Sequence, residues 1–199
     1  MMPTLFRGLV AIAAPLALVY GPVDATAQAP KYTQADVEFM QGMIGHHAQA
    51  LDMAALVPSR TRNESIHLLA QRIEISQRDE IRRMQTWLRD RSQSVPDPHM
   101  SGMHHGSEAG DRLMPGMLTP EQMAQLTAAR DAAFDALFLR LMIQHHEGAL
   151  TMVKTLFSSP GAAQETATFR YASDVDSDQR IEIERMRKML SAMPESHPS

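Results

Sequence analysis

Cysteine is absent from all 199 residues, which excludes disulfide frameworks, thiolate metal sites, iron–sulfur clusters and cysteine nucleophiles. Aromatic residues make up only 5%, and the formal net charge is −4, so no basic surface points to nucleic acid. No phosphate-binding loop and no Ser/His/Asp arrangement stands out. What is plentiful is methionine, at 16 residues, with hydrophobic content at 44%. That is enough to bury one sizeable core in a mostly helical protein. Histidine and methionine are then the only soft ligands available.

Residues 1–27 read as a secretory signal. Arg7 gives a weakly positive start, Gly8 to Tyr20 is apolar apart from Pro15, and Ala25-Thr26-Ala27 supplies a small-residue cleavage pattern ending at Ala27. The apolar run is shorter than the roughly 20 residues of a membrane span. Only an uncleaved leader would give contact with a membrane. The expected compartment is the periplasm or the exterior.

The remaining chain repeats itself. Phe39, Met43, Ile44, His46, His47, Ala50, Leu51 and Met53 return as Phe138, Met142, Ile143, His145, His146, Ala149, Leu150 and Met152, at an offset of 99 residues. Farther on, Gln77, Glu80, Ile81 and Met84 match Gln179, Glu182, Ile183 and Met186. Each half reads as a helix pair, which predicts an all-α four-helix bundle. The expected helices are residues 34–57, 63–91, 120–157 and 162–192. Thr33 with Asp36 and Thr61 with Glu64 have capping-box spacing, Thr119-Pro120 and Ser159-Pro160 place proline at a first helical position, and Pro58 is an expected stop. The organisation is a leader (1–27), a first helix pair (28–91), a linker (92–119), a second helix pair (120–193) and a tail (194–199).

At 100° per residue, His46 and His47 fall among Phe39, Met43, Ile44, Ala50 and Met53, opposite Gln41, Gln49 and Asp52. His145 and His146 fall likewise among Phe138, Met142, Ala149 and Leu150, opposite Arg140, Glu147, Thr151 and Lys154. Four inward imidazoles are costly unless each finds a hydrogen bond or a metal. Met43 and Met142 lie one turn before the paired histidines, and Met53 and Met152 about two turns beyond. Imidazole with thioether favours Cu(I), with Ag(I) and Cu(II) as alternatives. The linker repeats these types in His99, Met100, Met103, His104, His105, Met114 and Met117. By contrast, Met84, Met123, Met186, Met189 and Met193 read as core filler, and His67 as an internally satisfied histidine. Gln77, Glu80, Gln179 and Glu182 could orient the imidazoles or serve as bundle-edge ion pairs.

The duplicated box, each copy followed by a QxxEIxxM helix, resembles domain-of-unknown-function family 305, within the ferritin-like bundles. The resemblance covers residues 34–192 in two copies. It implies a ferritin-like four-helix bundle built from two duplicated helix pairs. It also implies copper or silver binding through His and Met, associated with copper tolerance. Carried over on that basis are Met40, Met43, His46, His47, Met53, Met142, His145, His146 and Met152; Leu139 stands where a second copy of Met40 would be. The expected function is a non-enzymatic exported copper-binding protein for sequestration, transfer or tolerance, whose partners are metal ions and a periplasmic copper exporter or oxidase. A metal-free partner-binding bundle is the alternative. A copper or di-iron oxidase is weaker, because only Glu64-Ser65-Ile66-His67 has the Glu-x-x-His spacing.

Overall fold

The computed structural model describes residues 32–98 and 113–193. The expected signal segment and His99, Met100, Met103, His104 and His105 lie outside the described residues. Among those described, five helices form and no strand: α1 (Gln34–Arg60), α2 (Glu64–Asp90), α3 (Pro120–Ala128), α4 (Asp131–Ser158) and α5 (Thr166–Ser191). α1 packs along α2 and α4 along α5, while α1 and α4 meet at the centre. This is the all-α, ferritin-like bundle of two helix pairs. No described helix is long and apolar enough to cross a membrane.

Local chemistry accounts for two helix starts. Thr33 caps α1 in a reciprocal box with Asp36, and Thr119 caps α3 with Gln122, with Pro120 at the first helical position. Elsewhere distant contacts override local signals. Pro58 does not stop α1. The helix runs on to Arg60 and closes through the Thr61 N–H to the Val57 carbonyl, since a proline this near the end forfeits a single backbone bond. Thr61 and Glu64 form no capping box. Thr61 ends α1, its hydroxyl accepting from the Asn63 N–H and its carbonyl from His67, so Asn63 becomes the cap of α2. Ser159-Pro160 starts no helix. The chain turns there through Gly161 (φ 74°) and Ala163 (φ 55°), because the buried Asp36 carboxylate holds the Ala163 N–H at 2.7 Å. The expected helix over 120–157 is broken at Ala129 and Arg130, both extended. The break lets α3 turn back so that Leu126 joins the same apolar cluster as Phe134 and Phe138. Burying such a side chain contributes about 2 kcal/mol, more than the helix propensity of the intervening residues.

The core is divided. One apolar cluster takes Phe39, Met40, Met43 and Ile44 of α1, Met84 and Leu88 of α2, Val153 and Leu156 of α4 and Val175 of α5. The other takes Met53 and Val57, Ile66 and Ile73, Phe138 and Met142, and Ile183 and Met186 from the same four helices. Between them every long helix contributes polar side chains: His46 and His47, Gln77 and Glu80, His145 and His146, Gln179 and Glu182. All but Glu182 are buried. A polar belt therefore crosses the middle of the bundle.

Candidate metal centre

The paired histidines follow one design twice. Each pair's rings stand 6.3 Å apart at 59°. The second ring of each pair donates from Nε2 to a carboxylate of its own helix pair: His47 to Glu80 at 2.5 Å and His146 to Glu182 at 2.6 Å. Glu80 and Glu182 are thus imidazole orienters rather than bundle-edge ion pairs. A carboxylate holding Nε2–H fixes the tautomer and leaves the Nδ1 lone pair free, the usual support for a metal-ligating histidine. The first rings, His46 and His145, lie against each other across the α1–α4 seam, with centroids 3.9 Å apart and planes tilted by 38°.

Burial decides their charge. Desolvation is the main force lowering the His46 pKa to about 3, helped by the neighbouring His47. His145 is pushed well below the ordinary imidazole value by desolvation and then by His46 and the other rings. Both are neutral at ordinary pH, so their lone pairs need not lose a proton to bind an ion. Burial alone would raise the Glu80 carboxyl, but the hydrogen bond and charge of His47, with Ser76 and Arg83, outweigh it and hold the group below its usual range.

Five buried imidazole nitrogens in the belt have no partner: Nδ1 of His46, His47 and His146, and both nitrogens of His145. Buried polar atoms are nearly always paired, so this concentration of free donors fits a guest with vacant coordination positions. Gln77 and Gln179, one turn before the two glutamates, also carry unpartnered amide atoms. Yet among the described residues no three His, Asp or Glu side chains converge on one point that could hold an ion. Among the described residues, the imidazoles alone therefore make no preformed three-ligand cage.

A strap closes the seam. The sequence suggests a structureless linker over 92–119, but residues 113–119 are packed, with Met117 and Leu118 buried. The Pro115 carbonyl accepts from His46 Nε2 at 3.0 Å. Gln49 grips Leu118 from both sides, accepting its N–H at 2.7 Å and donating to its carbonyl at 3.0 Å. Gln144 donates to the Gly116 carbonyl. Gly116, at φ 75°, lies directly on Gly148 of α4: a Cβ on Gly116 would sit 2.6 Å from Gly148 Cα, and one on Gly148 would collide with the Pro115 carbonyl.

The predicted thioethers flank the belt. Met40 and Met43 are buried in one apolar cluster and Met53 and Met142 in the other. Met114 and Met152 are half-buried and converge over Gly42, where a Cβ would meet Met114 Sδ at 3.3 Å and Met152 Cε at 3.4 Å. Met117 is buried in the strap. His67 is satisfied by the Thr61 carbonyl, and Met84 and Met186 are core filler. Sequence reasoning missed Gln49, Gln144, Pro115 and Gly148 as strap contacts. The available signal was a swap of Gly and Gln around the shared His pair, Gly45/Gln144 and Gln49/Gly148. Asp36 and Asp135, also 99 residues apart and both buried, were a second missed repeat. Asp36 ties α1 to the α4–α5 turn, and Asp135 accepts from Asn63 of the α1–α2 turn at 2.8 Å.

The family model described as domain of unknown function DUF305 matches residues 36–190. The chain belongs to the DUF305 family. A DUF305 fragment from Deinococcus radiodurans is 31% identical over 82% of this chain and 100% of the fragment, with a TM-score of 0.68. A DUF305 protein from Streptomyces coelicolor, whose secretion is inferred, is 29% identical over 82% of this DUF305 chain and 98% of that one, at 0.66. CopM in its Cu(II)-bound form is 28% identical over 78% and 95% of the two chains, at 0.61. Its Cu(I)-bound form is 25% identical over 81% and 97%, at 0.58. No curated protein matches this DUF305 chain.

Proposed function

We propose that this DUF305 protein is an exported copper-binding protein that takes up Cu(I), and Ag(I) in its place, for sequestration, transfer or tolerance. The observation that carries the reading is the set of five unpartnered imidazole nitrogens in a belt flanked by thioethers. Neutral imidazole with thioether suits a soft monovalent cation. The similarity to CopM, known in copper-bound forms, supports copper as the metal. His46, His47, His145 and His146, with the buried Met40, Met43, Met53 and Met142, are the terminal ligand pool in the bundle. Half-buried Met152 and the His/Met residues of the linker are a second pool, from which metal passes to the first. The leader, cut after Ala27, would deliver the protein to the periplasm, where an exporter or a copper oxidase would be its exchange partner.

Binding without turnover is the favoured role. A di-iron centre uses carboxylates as ligands, whereas Glu80 and Glu182 are engaged in orienting imidazoles. The Glu64/His67 pair is taken apart, with Glu64 exposed and His67 bound to Thr61. The deciding experiment is an oxygen-free Cu(I) competition titration of the chain from Gln28 onward, beside His46→Gln/His145→Gln, which keeps polar volume in the belt. Tight binding by the natural chain that collapses in the variant supports the reading. No competition by the natural chain rejects it. Partner binding without metal is favoured by exposed apolar side chains among the described residues: Leu68 and Ile75 on α2, Phe157 on α4, and Phe169 and Ile181 on α5. On that reading, added Cu(I) leaves the melting temperature unchanged, instead of raising it as a ligand of the folded state must.

A further inference from the structure

The two ends of the belt differ in access. Gly42 stands one turn before His46 on α1, and over it two half-buried thioethers, Met114 of the strap and Met152 of α4, come together. At the related end the same positions hold Leu141 and Met53, both buried. One end of the α1–α4 seam is thus sealed by apolar side chains, and the other ends in two half-buried methionines. Met114 also adjoins Pro115, whose carbonyl is hydrogen-bonded to His46. The strap that places the outer thioether is therefore fastened to the first buried imidazole.

Resting on the copper reading above, we propose that Met114 and Met152 form an outer thioether port over Gly42, which receives a soft monovalent cation and passes it to His46 and His145. The missing Cβ at Gly42 leaves the space in which the two side chains meet. Thioethers are uncharged, exchange readily and discriminate against hard cations. The step is ligand exchange alone, in which sulfur lone pairs yield to imidazole lone pairs and no electron is transferred. Gln49, Gln144 and Gly148 act as positioning residues, because they hold the strap that carries Met114.

The test separates rate from capacity. A chromophoric Cu(I)–chelator complex is mixed with the full mature chain and with Met114→Leu/Met152→Leu, a volume-conserving change. Loss of the chelate colour gives the transfer rate, and metal analysis gives the final stoichiometry. The port predicts transfer slowed at least about tenfold with unchanged stoichiometry. It also predicts that the ε-methyl signals of Met114 and Met152 shift at substoichiometric Ag(I). Unchanged rate and stoichiometry in the variant overturn the port and leave the copper reading standing. A lower stoichiometry makes the pair a terminal site and overturns passage. No transfer to the natural chain overturns both.

Discussion

The first and second copies of the histidine box are alike where they face the belt and unlike where the strap crosses it. Ring separation and tilt within each pair are the same in both copies, and each copy fastens its second histidine to a glutamate of its own second helix. Around those rings the copies part: Gly42 against Leu141, Gly45 against Gln144, Gln49 against Gly148. One strap crossing a seam between two related helices meets them from different sides. It needs a grip on one and a vacancy on the other. Gln49 supplies the grip and Gly148 the vacancy. The same asymmetry gives His46 a hydrogen-bond partner in the strap and His145 no such partner there. Duplication thus sets up two equivalent half-sites, and a single unduplicated segment makes them different.

Acid should test this contrast most strongly. The folded pKa of His46 is about 3, below the unfolded value near 6.5. The unfolded chain therefore binds the extra proton first, and stability falls as pH drops from about 6.5 towards 3. The loss from this residue is on the order of 4 kcal/mol, and His145 and Glu80 act in the same direction. Urea unfolding of the metal-free chain at pH 7 and pH 4 checks it; equal midpoints would show that the rings are not buried neutral.

Gly148→Ala comes next. In an ordinary helix the change stabilises by up to about 1 kcal/mol, but here the new methyl strikes the Pro115 carbonyl. A net loss of about 2 kcal/mol is expected, with faster hydrogen exchange at the Met117 and Leu118 amides. The mirror change Gln49→Ala strips Leu118 of both its side-chain hydrogen bonds and should cost about 1–2 kcal/mol. Gln144→Ala loses two longer bonds, one at 3.3 Å to the Gly116 carbonyl and one accepted at 3.2 Å from Gln122, and should cost less. Equal costs would mean that the strap does not distinguish the copies. Smallest of all is Glu147→Ala, which breaks the Arg187 ion pair found only in the second copy. Both side chains are more than half or about half exposed, so denaturant midpoints should move by less than about 0.5 kcal/mol.

Much of this was legible in the chain. The inward placement of His46, His47, His145 and His146 follows from helical periodicity, and the exposed Arg140, Glu147, Thr151 and Lys154 lie where that periodicity puts them. The pairing of glutamates with imidazoles was one of two readings that spacing left open. Residues 113–119 have no helical or strand period, so they read as a linker offering His and Met ligands and not as packed structure. Their order comes from His46 and Gln49, each bonded to a partner 69 residues away.

What the amino-acid order determined by itself is whatever a helix carries along its own axis: the two copies, their apolar faces, the caps at Thr33 and Thr119 and the ligand types available. Tertiary structure alone decided where α3 breaks from α4, where α5 begins, which histidine the strap holds and which end of the belt stays open. Those choices rest on contacts such as Asp36 with Ala163, 127 residues apart. Such contacts form only once folding has brought the partners together, and a buried polar group must then be paired whatever the local sequence prefers.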